Sequence, residues 1–270
     1  MHILDNKYNL LDLTNAVIEI VRKAGLVIME VYQQDFQIIS KEDSSPLTQA
    51  DLASNEVIVS HLMQLTPEIP IISEESAKIN FADRKEATYV WSVDPLDGTK
   101  EFVKKNGEFS VNVALIENGK PILGVVGIPA QETIAWGLKD YGAFLEKSGL
   151  TCRLESKSMT DDQDQYKVVC SRSHLDKDTK RFAESYGEIF WIPQGSSMKF
   201  VMVAAGDADF YPRLGPTMEW DTAAPHIIVE EAGGSVLSIE TGEPLTYNKE
   251  NLYNPDFVVL AKGGQLLPFN

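Results

Sequence analysis

The stretch Trp91-Ser92-Val93-Asp94-Pro95-Leu96-Asp97-Gly98-Thr99 holds the residue types and spacing best suited to chemistry. An apolar run ends in two acids three residues apart, with a proline fixing the turn between them. Two carboxylates and the Leu96 carbonyl offer several hard oxygen donors to one small volume, which suits Mg²⁺ and its tight octahedral shell. Asp97-Gly98-Thr99 then opens the next element. The N–H groups of Gly98 and Thr99 would face outward at a helix start, where a phosphate can sit. A plain turn with an aspartate cap needs only Asp97 and Gly98. The whole nine-residue string points to a site instead.

Three more acids gain interest beside it. Glu74, in Ser73-Glu74-Glu75-Ser76, directly follows a short apolar run. Asp51, in Thr48-Gln49-Ala50-Asp51, stands near a helix start, and so does Asp221 in Trp220-Asp221-Thr222-Ala223-Ala224. Taken singly, Asp51 and Asp221 read as acids that complement helix N-termini, and Glu74 as a solvated loop acid. Their joint occurrence with the Asp94–Asp97 pair is what carries weight.

These acids need elements to position them. Residues 13–32 form a strongly amphipathic pattern, with Val17, Ile20, Val21, Leu26 and Ile28 at helical spacing and Thr14 or Asn15 as cap. Residues 48–65 form a second, with Leu52, Val57, Ile58, Leu62 and Leu65 on its apolar side. Residues 69–72 and 89–93 read as buried strands. Residues 109–116 and 121–128 flank Asn118-Gly119, a strong hairpin signal. Residues 132–138 and 142–146 continue an antiparallel meander. The polar stretch 146–165 reads as a crossover between two halves, an N-terminal α+β metal-binding half over 1–155 and a C-terminal α/β half over 156–270. In the second half, strands are expected at 166–170, 208–211, 236–239 and 257–260. Helices are expected at 176–186, 196–205 and 222–232.

Composition narrows the classes further. The chain has 270 residues, 43% of them apolar and 24% charged, ordinary for a folded protein. Its net charge is −16, from 24 basic and 40 acidic residues. Such a surface repels polyphosphate and argues against a nucleic-acid polymer as partner. It leaves room for a small phosphate ester, since bound divalent cations reverse the sign of one local site. Cys152 and Cys170 are too few for a disulfide framework, and with four histidines they support no zinc site of the usual kind. No apolar run nears the ~18 residues of a membrane span; the nearest, 121–130, holds two prolines and two glycines. The reading is a soluble, cytoplasmic protein.

Taken in order, these segments resemble the inositol-monophosphatase-like superfamily of Mg²⁺-dependent, lithium-sensitive phosphatases. Within it the chain is most similar to the 3′(2′),5′-bisphosphate nucleotidase branch. Leu96 and Lys100-Glu101-Phe102 carry that distinction, where inositol phosphatases more often have Ile and Thr-Asn-Phe. Gly195-Ser196-Ser197-Met198-Lys199-Phe200 and the run from Tyr211-Pro212-Arg213 to Trp220 also look like that branch. Pro225-His226 departs from it, where glycine is commoner; proline in a first helical turn is tolerable because those N–H groups lack helix partners.

The resemblance implies a mixed α/β (α+β) fold, a layered α/β/α/β/α sandwich of the inositol monophosphatase and fructose-1,6-bisphosphatase type, with the site at the junction of the halves. It implies two or three Mg²⁺ ions. One would be held by Glu74, Asp94 and the Leu96 carbonyl on the side of the attacking water. Another would be held by Asp94, Asp97 and Asp221 facing the leaving oxygen. Asp51 and Thr99 would be catalytic, orienting and deprotonating the water, while Gly98 and Thr99 N–H groups hold the phosphate. Lys199, with Ser196, Ser197 and Arg213, would read a second phosphate. The competing reading makes Ser196 a helix cap and Lys199 a solvated lysine. Tyr211 and His174 are candidates for adenosine contact, against core and surface readings respectively.

The implied reaction removes the 3′-phosphate of adenosine 3′,5′-bisphosphate, a small-molecule nucleotide. An inositol monophosphatase or related sugar phosphatase is the alternative within the fold. An acidic cation-binding protein without turnover is the alternative outside it, against which Asp51 and Thr99 argue. The sequence decides neither monomer against homodimer nor a peripheral association with the cytoplasmic face of the inner membrane.

Overall fold

The computed structural model describes residues 3–4, 7–34, 38–40, 46–76, 79–160, 163–172 and 175–269. Two small ribbons lie near the N-terminus: β1 (Ile3–Leu4) with β2 (Tyr8–Asn9), and β3 (Ile38–Ser40) with β4 (Pro46–Thr48). Between them runs α1 (Leu10–Tyr32). Val17, Ile20, Val21, Ala24 and Ile28 recur at helical spacing and are all buried. Its cap is neither Thr14 nor Asn15. Asn9 accepts the N–H groups of Leu11 at 2.9 Å and Asp12 at 3.4 Å, and Thr14 is buried mid-helix with its hydroxyl on the Leu10 carbonyl. α2 (Gln49–Leu65) starts at the expected Thr48. Leu26 and Leu52, expected on apolar faces, are 63% and 45% exposed. Each lies off the buried stripe of its helix, where a single exposed leucine is ordinary.

The first sheet follows the chain. Strands β5 (Ile71–Ser73), β6 (Tyr89–Asp97), β7 (Ser110–Glu117), β8 (Lys120–Ile128), β9 (Thr133–Leu138), β10 (Gly142–Lys147) and β11 (Leu150–Leu154) lie side by side in sequence order. All neighbours are antiparallel except the β5–β6 pair at one edge. Asn118 (φ 49°) and Gly119 (φ 79°) close the β7–β8 hairpin as expected. Two short helices, α3 (Phe81–Arg84) and α4 (Thr99–Val103), flank β6. β11 was expected to be crossover. It is an edge strand whose Leu150, Thr151, Cys152 and Arg153 are all exposed, so no apolar pattern marks it. The turn Ser148-Gly149, with φ 50° and 78°, pairs it back on β10.

The second sheet has the order β13-β12-β14-β16-β15. Its strands are β12 (Tyr166–Ser171), β13 (Ile189–Gln194), β14 (Phe210–Arg213), β15 (Ser235–Ser238) and β16 (Phe257–Leu260). β12 is parallel to β13 and β14; β16 is antiparallel to β14 and β15. β13 was not expected. It is an edge strand carrying Pro193, which is tolerated where a strand pairs on one side only. Helix α5 (Lys177–Glu184) packs outside this sheet. Helices α6 (Met198–Ala204) and α7 (Glu219–Glu231) lie between the two sheets.

The layers are thus α1 and α2, the first sheet, α6 and α7, the second sheet, and α5: the α/β/α/β/α sandwich expected. One large apolar core lies under α1 and α2, a second lies between the sheets and reaches α5, and a small third gathers Ile72, Val90 and Trp220. α7 approaches the first sheet backbone to backbone. A Cβ on Gly124 would stand 2.2 Å from the Ala224 carbonyl oxygen, and one on Gly137 2.9 Å from Ile228 Cα.

Candidate active site

Asp94 and Asp97 are three residues apart on β6, so a regular strand would turn them to opposite faces. The register prevents it. Asp94 pairs with Asn112 and Asp97 with Ser110, leaving Pro95 and Leu96 opposite Val111 alone. This bulge changes the parity and brings both carboxylates to one face. Ser54 of α2 holds the bulge from beneath, its buried hydroxyl donating to the Pro95 carbonyl at 2.7 Å. Glu74 arrives by pairing too. β5 runs parallel to β6 with Ser73 opposite Val93, and the Glu74 N–H donates to the Val93 carbonyl at 3.2 Å. Glu74 therefore sits level with Asp94.

Asp51 is 1% exposed at the start of α2. One of its oxygens, Oδ2, accepts the Thr48 N–H at 2.7 Å and the Thr48 hydroxyl at 2.6 Å, closing a capping box. The other, Oδ1, accepts the Thr99 hydroxyl at 3.1 Å; that hydroxyl also stands 3.3 Å from the Leu96 carbonyl. Gly98 precedes Thr99 with φ 91°, and a Cβ there would stand 3.0 Å from the Glu108 carbonyl oxygen. Only glycine serves this turn.

Asp221 comes from the far end of the chain. α7 begins at Glu219, three residues earlier than expected, and Asp221 Oδ2 accepts the Met218 N–H at 2.9 Å. Pro225 therefore lies in the second helical turn, not the first. It lacks the N–H that would have met the Asp221 carbonyl. The Ser197 hydroxyl stands 3.1 Å from that carbonyl and 2.8 Å from Asp97 Oδ2, with one proton to donate between them. Asn112 donates to Ser197 Oγ at 2.8 Å, and Ser110 donates to Asp97 Oδ2 at 3.3 Å. Ser54, Ser110 and Asn112 were not singled out from sequence. Their only signal is a polar type within apolar strand or helix patterns.

The acids act on one another. Burial, then the charges of Glu74, Asp97 and Asp221, hold the Asp94 carboxyl well above the usual range. Burial and Asp97 push Asp221 up to about 8, with Glu74 adding to the rise. Glu74, Asp94, Asp97, Asp221 and the Leu96 carbonyl are all hard oxygen donors, a set suited to a hard divalent cation. The fit is one of donor chemistry. Among the described residues, no three acidic, histidine or cysteine side chains close into a metal-holding cluster.

The expected substrate side faces the same cleft, which is lined by Asp97, Gly98, Asp221, Ser196, Lys199 and Arg213 among others. Ser196 is not the cap of α6. Ser197 holds that position, without a side-chain capping bond, and Ser196 takes a left-handed φ of 50°. The Ser196 hydroxyl is buried without a hydrogen-bond partner among the described residues. Lys199 is buried, not solvated: its Nζ donates to the Ser196 carbonyl at 2.5 Å and lies 5.3 Å from the centre of the Tyr211 ring. Burial lowers its pKa against the opposing pull of Asp97. Tyr211 is buried in the cleft wall, and burial raises its phenol. Arg213 Nη2 donates to the Pro216 carbonyl at 3.1 Å, and its Nε is buried without a partner among the described residues. His174 lies outside the described residues.

Comparison with known proteins identifies the family. The 3′(2′),5′-bisphosphate nucleotidase CysQ of Escherichia coli strain K12 is 43% identical over 246 residues, covering 90% of this chain and 97% of that protein. The protein of the same name from Haemophilus influenzae is 33% identical over 250 residues, covering 92% and 93%. The solved structure of CysQ from Bacteroides thetaiotaomicron, a bacterial member of the inositol monophosphatase family, matches with a TM-score of 0.81 at 39% identity, covering 94% and 98%. Inositol monophosphatase from Anabaena matches with a TM-score of 0.75 at 25% identity, covering 94% and 92%. Residues 9–263 match the inositol monophosphatase family. That match crosses both sheets and every acidic segment of the cleft, and the chain therefore belongs to the inositol monophosphatase family.

Proposed function

We propose that the protein is a Mg²⁺-dependent phosphomonoesterase that removes the 3′-phosphate of adenosine 3′,5′-bisphosphate, leaving AMP and phosphate. One observation carries the reading: a single cleft is lined both by the acids Asp97 and Asp221 and by the cations Lys199 and Arg213. The carboxylates suit cations, which would in turn hold the reacting phosphate. The basic side chains suit a phosphate that does not react. The 43% identity to a bisphosphate nucleotidase supports the same choice.

Glu74, Asp94, Asp97, Asp221 and the Leu96 carbonyl would hold two or three ions. Bound Mg²⁺ lowers the pKa of the attacking water and steadies the charge on the leaving oxygen. The rest falls to the chain. Asp51 Oδ1 accepts the Thr99 hydroxyl proton, leaving Thr99 Oγ1 to take the proton of the water. The Gly98 and Thr99 N–H groups orient the phosphate at the α4 start. Lys199, Ser196, Ser197 and Arg213 hold the nucleotide by its other phosphate, with Tyr211 toward the adenosine. The ribose 3′-oxygen leaves with a proton from solvent. No helix among the described residues is long and apolar enough to cross a membrane, and the two unpaired cysteines agree with a cytoplasmic setting.

The test is phosphate release with Mg²⁺ from adenosine 3′,5′-bisphosphate, 3′-AMP, an inositol monophosphate and fructose 1,6-bisphosphate. The bisphosphate nucleotide should have the highest kcat/KM. Preference for the inositol or sugar ester would overturn the assignment.

A further inference from the structure

Glu108 joins the two sides of the cleft and has no part in the chemistry above. It lies between α4 and β7, on the side of the first sheet. Arg172, just past β12, reaches it from the side of the second. Arg172 Nε donates to Glu108 Oε2 at 2.7 Å and Nη2 to Oε1 at 2.5 Å, a bidentate pair. The same Oε2 accepts the Gly195 N–H at 2.9 Å, and the same Nη2 donates to the Pro193 carbonyl at 2.9 Å. Both ends of the 193–195 segment, where β13 runs out, therefore hang on one ion pair. The segment has no slack. A Cβ on Gly195 would stand 2.7 Å from the Glu108 carbonyl oxygen and 2.9 Å from Glu101 Cγ. Ser196 follows at once, with its left-handed φ, its unpartnered buried hydroxyl and its carbonyl on Lys199.

We propose that Glu108 and Arg172 are positioning residues that set the enzyme's choice of a bisphosphate substrate. They act through the 193–195 segment on Ser196, whose Cβ stands 3.3 Å from where a Cβ on Gly98 would be, and on Lys199, whose Nζ donates to the Ser196 carbonyl, and so keep both in register with the Gly98 turn. This rests on the functional reading above and names what fixes its specificity. The Arg172 side chain is 42% exposed and Glu108 15%. Water screens the pair on its Arg172 side. Its directional, two-bond geometry fixes the segment, and urea unfolding of each variant beside the kinetics separates a loss of specificity from a loss of folding.

The experiment uses Glu108→Gln, Arg172→Gln, Arg172→Lys and the double Gln variant. It measures kcat and KM for adenosine 3′,5′-bisphosphate and for 3′-AMP, and calorimetric binding of AMP, which has the 5′-phosphate only. In each variant KM for the bisphosphate and Kd for AMP should rise about five- to tenfold, while KM for 3′-AMP moves less than about twofold. The double variant should be no worse than the worse single one, since both act through one segment. Arg172→Lys should resemble Arg172→Gln, because an ammonium does not reproduce the two-bond fork. Equal losses on both nucleotides, or an unchanged ratio of the two KM values, would overturn the proposal. Failure of the functional reading shows elsewhere, as a wild-type enzyme that does not turn over the bisphosphate.

Discussion

Thr99 Oγ1 stands 3.1 Å from Asp51 Oδ1, although the two residues are 48 positions apart. The other oxygen of the same carboxylate caps α2 through Thr48. Asp51 thus has a structural oxygen and a chemical one. Asp51→Asn keeps the shape but makes one of the two positions an amide. Turnover should fall ~10²–10⁴-fold with the loss of a positioned base. Stability should fall by ~0.5–2 kcal/mol with the impaired cap. The Mg²⁺ concentration for half-activation should hardly move. Steady-state kinetics beside urea unfolding checks both, and near-full turnover would remove Asp51 from the mechanism.

Asp94 and Asp221 predict an unusual pH dependence. Both carboxyls are raised in the fold, Asp221 to about 8, above the ~3.9 of an unfolded aspartate. Between those values the native state holds more protons than the unfolded one. Stability contributed by the pair therefore falls as pH rises from about 4 to about 8. A divalent cation competes with those protons and should reverse the loss. The rise in Tm on adding Mg²⁺ to chelator-treated protein should be larger at pH 8 than at pH 5.5. Asp221→Asn should flatten the difference. An equal rise at both pH values would contradict a shared acidic site.

Lys199 is buried beside Ser196 and Tyr211, so its removal acts locally. A charge-assisted contact is worth ~1.5–3 kcal/mol, so Lys199→Ala should raise KM for the bisphosphate by one to two decades. KM for 3′-AMP should change much less. Equal loss on both substrates would return weight to an inositol or sugar phosphatase.

Ser197 and Pro225 should prove coupled. Ser197→Ala removes the hydroxyl shared between Asp97 and the Asp221 carbonyl, which Pro225 leaves without its helical N–H, at a cost of ~1–3 kcal/mol. Pro225→Ala returns an N–H to that carbonyl. In the Pro225→Ala background, Ser197→Ala should cost less. Urea unfolding of the four proteins measures the coupling, and strict additivity would show the two residues to be independent.

Much of the site was legible because its chemistry is packed into short strings. The Asp94–Thr99 run, the acid after β5 and the acid at the start of α7 all stand where their types suggested. The bulge that puts Asp94 and Asp97 on one face was not legible, since it depends on what β7 places opposite. β11 and β13 escaped because edge strands need no continuous apolar pattern. The true starts of α1 and α7 lie earlier than their apolar repeats, and with them Pro225 moved into the second turn. The Glu108–Arg172 pair joins elements 64 positions apart, which no local pattern reveals.

The contact of α7 with the first sheet has a consequence for synthesis. Gly124 and Gly137 leave room on β8 and β9 for the backbone of this helix. The ribosome finishes β9 at Leu138 and α7 at Glu231. At ~5–20 residues per second, the interval is roughly 5–20 s. For that time a nascent chain presents a half-covered apolar sheet to its surroundings. A stalled or truncated chain would present it indefinitely. Premature stops between the two elements should therefore yield not a smaller working unit but a sticky one, a substrate for chaperones and proteases.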